Sequence, residues 1–213
     1  MLYKNTFFIV FYLFFSFSVQ AQNVYVGLQG EFFNSSFSVD ANLYEFEPQT
    51  GFGARLLCRL PLTDLFALQF EAGYMQRKLR GEYGFETNNA LDPFVLYLYS
   101  ADQNIIDLGM TFRFQRPAGK VRPYFAPGFG VGMLNDPALT YTRDGSWYRS
   151  RTFAKVDLNV LFEGGVVFPL GEGGLWAVEP GVRYALTLNN LKEGPSEAKH
   201  RRFGLVVAVT RGF

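Results

Sequence analysis

The sequence predicts an all-β fold, an eight-stranded antiparallel barrel that crosses a membrane as an up-and-down meander. Three observations carry that prediction. The N-terminal segment directs the chain out of the cytoplasm. The rest of the chain alternates apolar and polar residues with period two. The connections between the alternating segments are long and short in strict turn.

The N-terminus comes first. Lys4 precedes the apolar run Phe7-Phe8-Ile9-Val10-Phe11-Tyr12-Leu13-Phe14-Phe15, and the small residues Val19 and Ala21 follow it. A positive start, an apolar stretch and small residues at −3 and −1 describe a secretory signal peptide. The run is short for a spanning helix. Residues 1–21 are therefore expected to be removed after Ala21. That leaves 22–213 as one outer-membrane barrel domain of 192 residues with 19 basic and 19 acidic side chains. No Cys directly follows the cleavage site, so a lipoprotein is not expected.

Composition excludes several classes. The whole chain carries a net charge of +1, and such a balance gives no electrostatic footprint for nucleic acid. One His and one Cys argue against a Cys/His zinc site and exclude an internal disulfide. No cofactor or metal is expected. Aromatics are 18% of the chain, with 24 Phe and 12 Tyr, yet mean hydropathy is close to zero. That combination fits a chain that is apolar on every second residue.

Eight segments show such alternation, the mark of strands with one apolar face. The first runs through Val24, Val26, Leu28 and Phe32, and the second through Phe52, Ala54, Leu56, Cys58 and Leu60. The third carries Phe66, Leu68, Phe70, Ala72 and Tyr74; the fourth carries Ile106, Leu108, Met110, Phe112 and Phe114. The fifth has Phe125, Phe129, Val131 and Met133, with Pro123 and Pro127 in register. The sixth has Val156, Leu158, Val160, Phe162, Val166 and Phe168. The seventh has Trp176, Val178, Val182, Tyr184 and Leu186, with Pro180 in register. The eighth has Phe203, Leu205, Val207 and Val209, then Arg211 and Phe213. Proline cannot donate to a ladder, so Pro127 and Pro180 are expected at bulges and Pro123 at a strand start.

The alternate positions hold charge and glycine together. Glu31, Arg55, Glu71, Arg113, Glu163, Glu179, Arg183 and Arg202 lie there, among Gly27, Gly53, Gly73, Gly109, Gly128, Gly165, Gly181 and Gly204. A soluble sandwich would also alternate, with its charges in water. Crowded glycine suits instead a narrow lumen in which side chains meet across the middle. The eight charged residues are expected to form a network that plugs the lumen. Arg55 and Glu71 are expected at similar depth, and Glu163 is expected to match Glu179 across the turn at Gly171.

Connections separate the two folds further. Those around Pro61–Asp64, Arg116–Val121 and Pro169–Gly174 are short. Those at Asn34–Pro48, Lys78–Gln103, Asn135–Ser150 and Asn189–Ala198 are longer. Transmembrane barrels pair short periplasmic turns with long extracellular loops. Both termini are then expected on the periplasmic side. Residues 91–100, apolar on both faces, are either one arm of an extracellular hairpin or an extension of the fourth strand; ten strands would need a partner near Gly81–Thr87.

The run Arg122-Pro123-Tyr124-Phe125-Ala126-Pro127-Gly128-Phe129-Gly130 after a short turn, and the final strand Phe203 to Phe213, carry a resemblance. The chain resembles the small eight-stranded outer-membrane barrels of OmpA/OmpX-type architecture and is similar to the PorT-like outer membrane β-barrel family. That resemblance implies an outer membrane of a Gram-negative-type envelope. It also implies that Phe213 serves as an assembly signal for the barrel-assembly machinery, although Arg211 stands where an apolar residue is usual. Such folds host many functions.

Candidate sites are sparse. His200 opens the eighth strand beside Lys199, Arg201 and Arg202, which do not orient an imidazole. It reads as a solvated rim residue meeting lipid phosphates, or, less readily, as the base of a lipid-modifying enzyme. No Gly-x-Ser-x-Gly elbow is present. Asp40, Glu45 and Glu47 lack calcium-loop spacing. Tyr141, Arg143, Trp147 and Tyr148 form either a recognition tip or part of an aromatic girdle. Cys58 is expected to face lipid. The expectation is a non-enzymatic structural or interaction protein with an occluded polar lumen. Its partners would be outer-membrane lipid and an unknown protein or surface ligand reached through the loops. The alternative is a component of a secretion or envelope-assembly complex, as PorT-like resemblance implies.

Overall fold

The computed structural model describes residues 24–39, 44–86, 94–135, 138–143, 146–151, 155–171, 174–189 and 198–213. The expected signal peptide lies outside the described residues, as does Asp40. The described strands are β1 (Tyr25–Val39), β2 (Tyr44–Glu47), β3 (Gln49–Pro61), β4 (Phe66–Glu86), β5 (Phe94–Gln115), β6 (Arg122–Leu134), β7 (Ala138–Arg143), β8 (Ser146–Arg151), β9 (Val156–Leu170), β10 (Trp176–Thr187) and β11 (Ala198–Gly212).

Eight of these close a barrel in the order β1-β3-β4-β5-β6-β9-β10-β11, and every neighbouring pair is antiparallel. Closure can be followed residue by residue. Val26 on β1 stands opposite Cys58, then Phe70, Met110, Phe129, Val160, Leu186 and Arg201 in turn, and Arg201 stands opposite Ser36, back on β1. The circuit returns ten residues displaced. Such a stagger in eight strands goes with a strand tilt of about 35–45° and an interior only wide enough for side chains.

Alternation is nearly complete. On β11, Arg202, Gly204, Val206, Ala208 and Thr210 are buried while Arg201, Phe203, Leu205, Val207, Val209 and Arg211 are exposed. Because the outward residues are large and apolar, the exterior is a greasy belt. Arg201 and Arg211 bound it on β11, ten residues apart. At about 3.3 Å per residue and the tilt above, that separation is about 25 Å along the barrel axis, the height of a lipid-facing band.

The turns explain one end. Thr63 Oγ1 accepts from the Leu65 and Phe66 amides at 3.3 and 3.0 Å, closing the β3–β4 turn. Gly171 and Gly174, at φ of 73° and 63°, frame the β9–β10 turn, where a Cβ would strain the left-handed backbone. The chain end is clasped there too: the Phe213 amide donates to Val24 O at 3.0 Å and the Gly212 amide to Leu175 O at 2.7 Å. Arg211, which departs from the usual apolar pattern, lies over the rings of Trp176 and Phe213 at 5.4 and 4.9 Å.

One expectation needs correction. Pro127 and Pro180 make no bulge, since the register of β5–β6, β6–β9, β9–β10 and β10–β11 is unchanged across them. Each proline only interrupts the ladder on one side, where its missing N–H would have donated. Residues 94–100 add no barrel strand. They extend β5 and pair with an equally long β4 as far as Glu86↔Phe94. β2 joins the outer part of β4, and β7 and β8 continue from the outer part of β5, so a five-stranded sheet β2-β4-β5-β7-β8 stands beyond the barrel.

Candidate functional site: a charged lumen and its two ends

Strict alternation drives the polar residues of eight strands into one narrow space. Among the described residues, six arginines (Arg55, Arg59, Arg77, Arg113, Arg183, Arg202) and six carboxylates (Glu31, Glu71, Asp107, Asp157, Glu163, Glu179) are buried there. The numbers balance, and no lysine is among the buried charges. Arginine suits the task because its planar fork holds two carboxylates at once in fixed geometry, which a point-like ammonium cannot.

The charges are stacked in tiers. At the turn end, Glu179 accepts from Arg59 Nη1 and Nη2 at 3.0 and 2.7 Å and from Thr210 Oγ1 at 2.7 Å, and Arg113 Nη2 lies 2.8 Å away. The Arg113 guanidinium lies 3.6 Å over the Tyr124 ring. Gln69 links this tier to the next, accepting from Arg59 Nε at 3.0 Å and donating to Glu71 at 2.9 Å.

In the middle tier one cation serves two anions. Arg183 donates to Glu71 at 2.7 Å and to Glu163 at 2.8 Å. Tyr124 Oη and Gln29 Nε2 also donate to Glu163, at 2.8 and 3.2 Å. Glycines make this possible. A Cβ on Gly181 would lie 2.8 Å from the Tyr124 hydroxyl and 2.7 Å from Gly164 O.

The third tier joins Arg55 and Arg202 to Glu31 and Asp107. Arg55 lies 2.5 Å from Glu31 and 2.9 Å from Asp107, and Arg202 Nε lies 3.3 Å from Glu31. Both guanidiniums also meet the Met75 sulfur. At the far end, Arg77 donates to Gln103 at 2.7 Å and approaches His200 Nδ1 at 2.8 Å and Asp157 at 3.5 Å. Thr187 Oγ1 donates to Asp157 at 2.9 Å.

All eight residues expected in a lumen network are buried, and each is ion-paired with another lumen residue. The register within the network differs from expectation. Arg55 stands opposite Gly73, two residues from Glu71, and binds Glu31 and Asp107 instead. Glu163 stands opposite Arg183, four residues beyond Glu179. Arg59, Arg77, Asp107 and Asp157 complete the twelve buried charges and stood outside the expected network, and Gln103 and Tyr124 were missed as well. Tyr124 sat in an aromatic run, but its even-numbered alternation with Phe125 and Phe129 marked it as inward. His200 is corrected as well: it is 2% exposed, inside the lumen between Arg77 and Asp157, and is not a solvated rim residue. Its neighbours Lys199 and Arg201 are the exposed ones.

Beyond the barrel the backbone divides the expected recognition tip. Tyr141 pairs with Tyr148 and Arg143 with Ser146, while Trp147 pairs with Thr142 on the other face. Glu45 and Glu47 fall in β2.

A closed barrel with an apolar belt and a charged lumen is the architecture of known membrane proteins, and comparison bears directly on it. The model of the outer membrane protein beta-barrel domain matches residues 20–193. The chain belongs to that family. Outer-membrane barrels of this family cross the bilayer with strands, and their location is the outer membrane. Among solved structures, the barrel is similar to Neisserial surface protein A, NspA, at 15% identity and a TM-score of 0.51, covering 89% of this chain and 97% of that one. It is similar to OprG from Pseudomonas aeruginosa at 12% identity and a TM-score of 0.50, covering 90% and 96%. The outer membrane enzyme PagL matches at 13% identity and a TM-score of 0.50, covering 84% and 97%. At such identities these likenesses concern the fold. None of the curated proteins matches the chain in sequence.

Proposed function

We propose that this outer-membrane barrel is a non-enzymatic interaction protein that works through the sheet it raises beyond the bilayer. The turns and both termini face the periplasm, and the long connections face outward. The signal peptide of residues 1–21 brings the chain to the envelope. Phe213 then presents it to the barrel-assembly machinery.

The observation that carries this reading is the five-stranded sheet. Phe46, Gly81, Tyr99, Tyr141 and Tyr148 are successive partners across β2, β4, β5, β7 and β8, so they share one face. Tyr44, Tyr83 and Tyr97 fall on the same face one pair away. Glu45, Glu47, Arg80, Glu82, Arg149 and Arg151 fall on the other. A face rich in tyrosine, with Arg143 on β7 as its charge, has the composition of a recognition surface. The filled lumen agrees with such a role, since an eight-stranded interior crossed by ion pairs leaves the axis occupied.

The test is crosslinking in native outer membranes. The wild type should capture a defined partner in constant proportion. A variant with 138–151 replaced by a short turn should lose it while keeping the gel shift between unheated and boiled samples. Equal capture by both would refute the sheet as the working surface. Large, steady conductance in planar bilayers would refute the occluded lumen.

A further inference from the structure

At the turn end the lumen opens into a vestibule of about 450 Å³. It is polar, and among the described residues three guanidiniums line it: Arg59, Arg113 and, at the mouth, Arg122. Among the described residues two carboxylates line it too, Glu179 and the exposed Asp64 on the β3–β4 turn. Glu179 is fully engaged, since Arg59, Arg113 and Thr210 all converge on it. One carboxylate therefore serves two buried cations here. One tier deeper the ratio is reversed, with Arg183 shared by Glu71 and Glu163. Among the described residues the buried charges balance over the whole lumen, but the tier at the end that opens to water holds one more cation than anion.

Arg113 is the residue with capacity to spare. It is 1% exposed, yet it lines the vestibule. Nε donates to Gln115 at 3.0 Å, Nη1 reaches only Gln69 at 3.5 Å, the outer limit of a hydrogen bond, and Nη2 lies 2.8 Å from Glu179 without making a hydrogen bond of good geometry. Arg122 is steadied at the mouth by its Nε bond to Gly119 O at 3.2 Å. A planar, desolvated guanidinium with an under-used edge is the group that takes an oxyanion side-on.

We infer that the turn-end vestibule is a binding site for an anionic group, a carboxylate or phosphate carried on a slender chain, held between Arg113 at the floor and Arg122 at the mouth. The cavity is large enough for a group of that kind. The walls contribute Thr63, Gln115 and Tyr25 as neutral hydrogen-bonding partners. The site does not depend on the outer sheet or on which side of the membrane the turns face.

The experiment uses the full-length barrel in detergent micelles and reads the arginine Nε–Hε resonances by NMR. The probes are N-acetyl-dialanine as the free acid, the same peptide as its amide, and inorganic phosphate. The free acid or phosphate should shift the Arg113 and Arg122 signals saturably and leave Arg77 and Arg202 still; whichever binds more tightly identifies the source. The amide should bind at least about tenfold more weakly, the loss of one charge-assisted bond. Arg122→Gln, which lies outside the ion-pair tiers, should weaken binding several-fold without altering the fold, and Arg113→Gln should abolish it. Equal shifts with acid and amide, shifts that never saturate, or wild-type affinity in Arg122→Gln and Arg113→Gln would overturn the site.

Discussion

On β11, Phe203, Leu205, Val207 and Val209 face outward, while Arg202, Gly204, Val206, Ala208 and Thr210 face inward on the same backbone. The two faces meet different solvents. The outer face needs only to be apolar, because lipid conforms to its shape. The inner face must satisfy every charge with a partner of fixed geometry, because no water-like medium surrounds it. Error is therefore expensive inside and tolerated outside, and substitutions measure the gap.

The largest effect should come from removing a shared cation. Arg183→Met leaves Glu71 and Glu163 buried with their common partner gone. Breaking a buried pair from one side costs about 3–5 kcal/mol. Urea unfolding in lipid vesicles should show a loss of that size. Adding Glu71→Gln and Glu163→Gln to the same variant should recover much of it. A loss below about 1 kcal/mol would mean the middle tier is wet and weak.

Next comes charge placed in lipid. Val207→Arg puts a guanidinium in the outward belt, at a cost of about 2–4 kcal/mol near the midplane. Thr50→Arg, outward on β3 close to the long-connection rim, should cost about 0–1 kcal/mol. The ratio of the two tests the depth assigned by the register. Equal costs would sink it.

Much of this was legible in the chain. Period-two alternation gives the eight barrel strands because lipid and lumen impose opposite demands on neighbouring residues. Alternating connection lengths give the meander. Glu31, Arg55 and Arg202 are recognisable as inward because their neighbours Phe32, Leu56 and Phe203 are so plainly outward. The choice of partner was not legible. Arg55 binds Asp107, which lies in its own row across β4 through Gly73, and Glu31, which stands two residues from its β1 partner just as Glu71 stands two residues from its β4 partner, so strand register alone does not select between the two. His200 misled for another reason. Its basic neighbours suggested water, yet Lys199 and Arg201 are the outward pair and parity alone puts His200 inside. The outer extension of β4 and β5 was ambiguous because residues 94–100 are apolar on both faces, so no alternation marks them.

The smallest effects should come from adding one methyl group on each side of the wall. Gly181 faces the lumen, and a Cβ there would meet Gly164 O and the Tyr124 hydroxyl at 2.7 and 2.8 Å. Tyr124 must move, so its 2.8 Å bond to Glu163 lengthens, and the backbone at Gly164 must shift as well. Overpacking of this kind costs about 1–3 kcal/mol. Gly30 faces outward between Val207 and Ala54, and a Cβ there meets nothing within 4 Å. It does not occupy the left-handed region, so alanine fits its backbone. Gly30→Ala should leave stability unchanged or raise it by about 0.4–1 kcal/mol, through the lost freedom of the unfolded chain. The unfolding midpoint of Gly181→Ala should thus fall while that of Gly30→Ala holds or rises. If both fall together, the outward face is packed against something firmer than lipid, and the contrast between the two faces fails at that point of the wall.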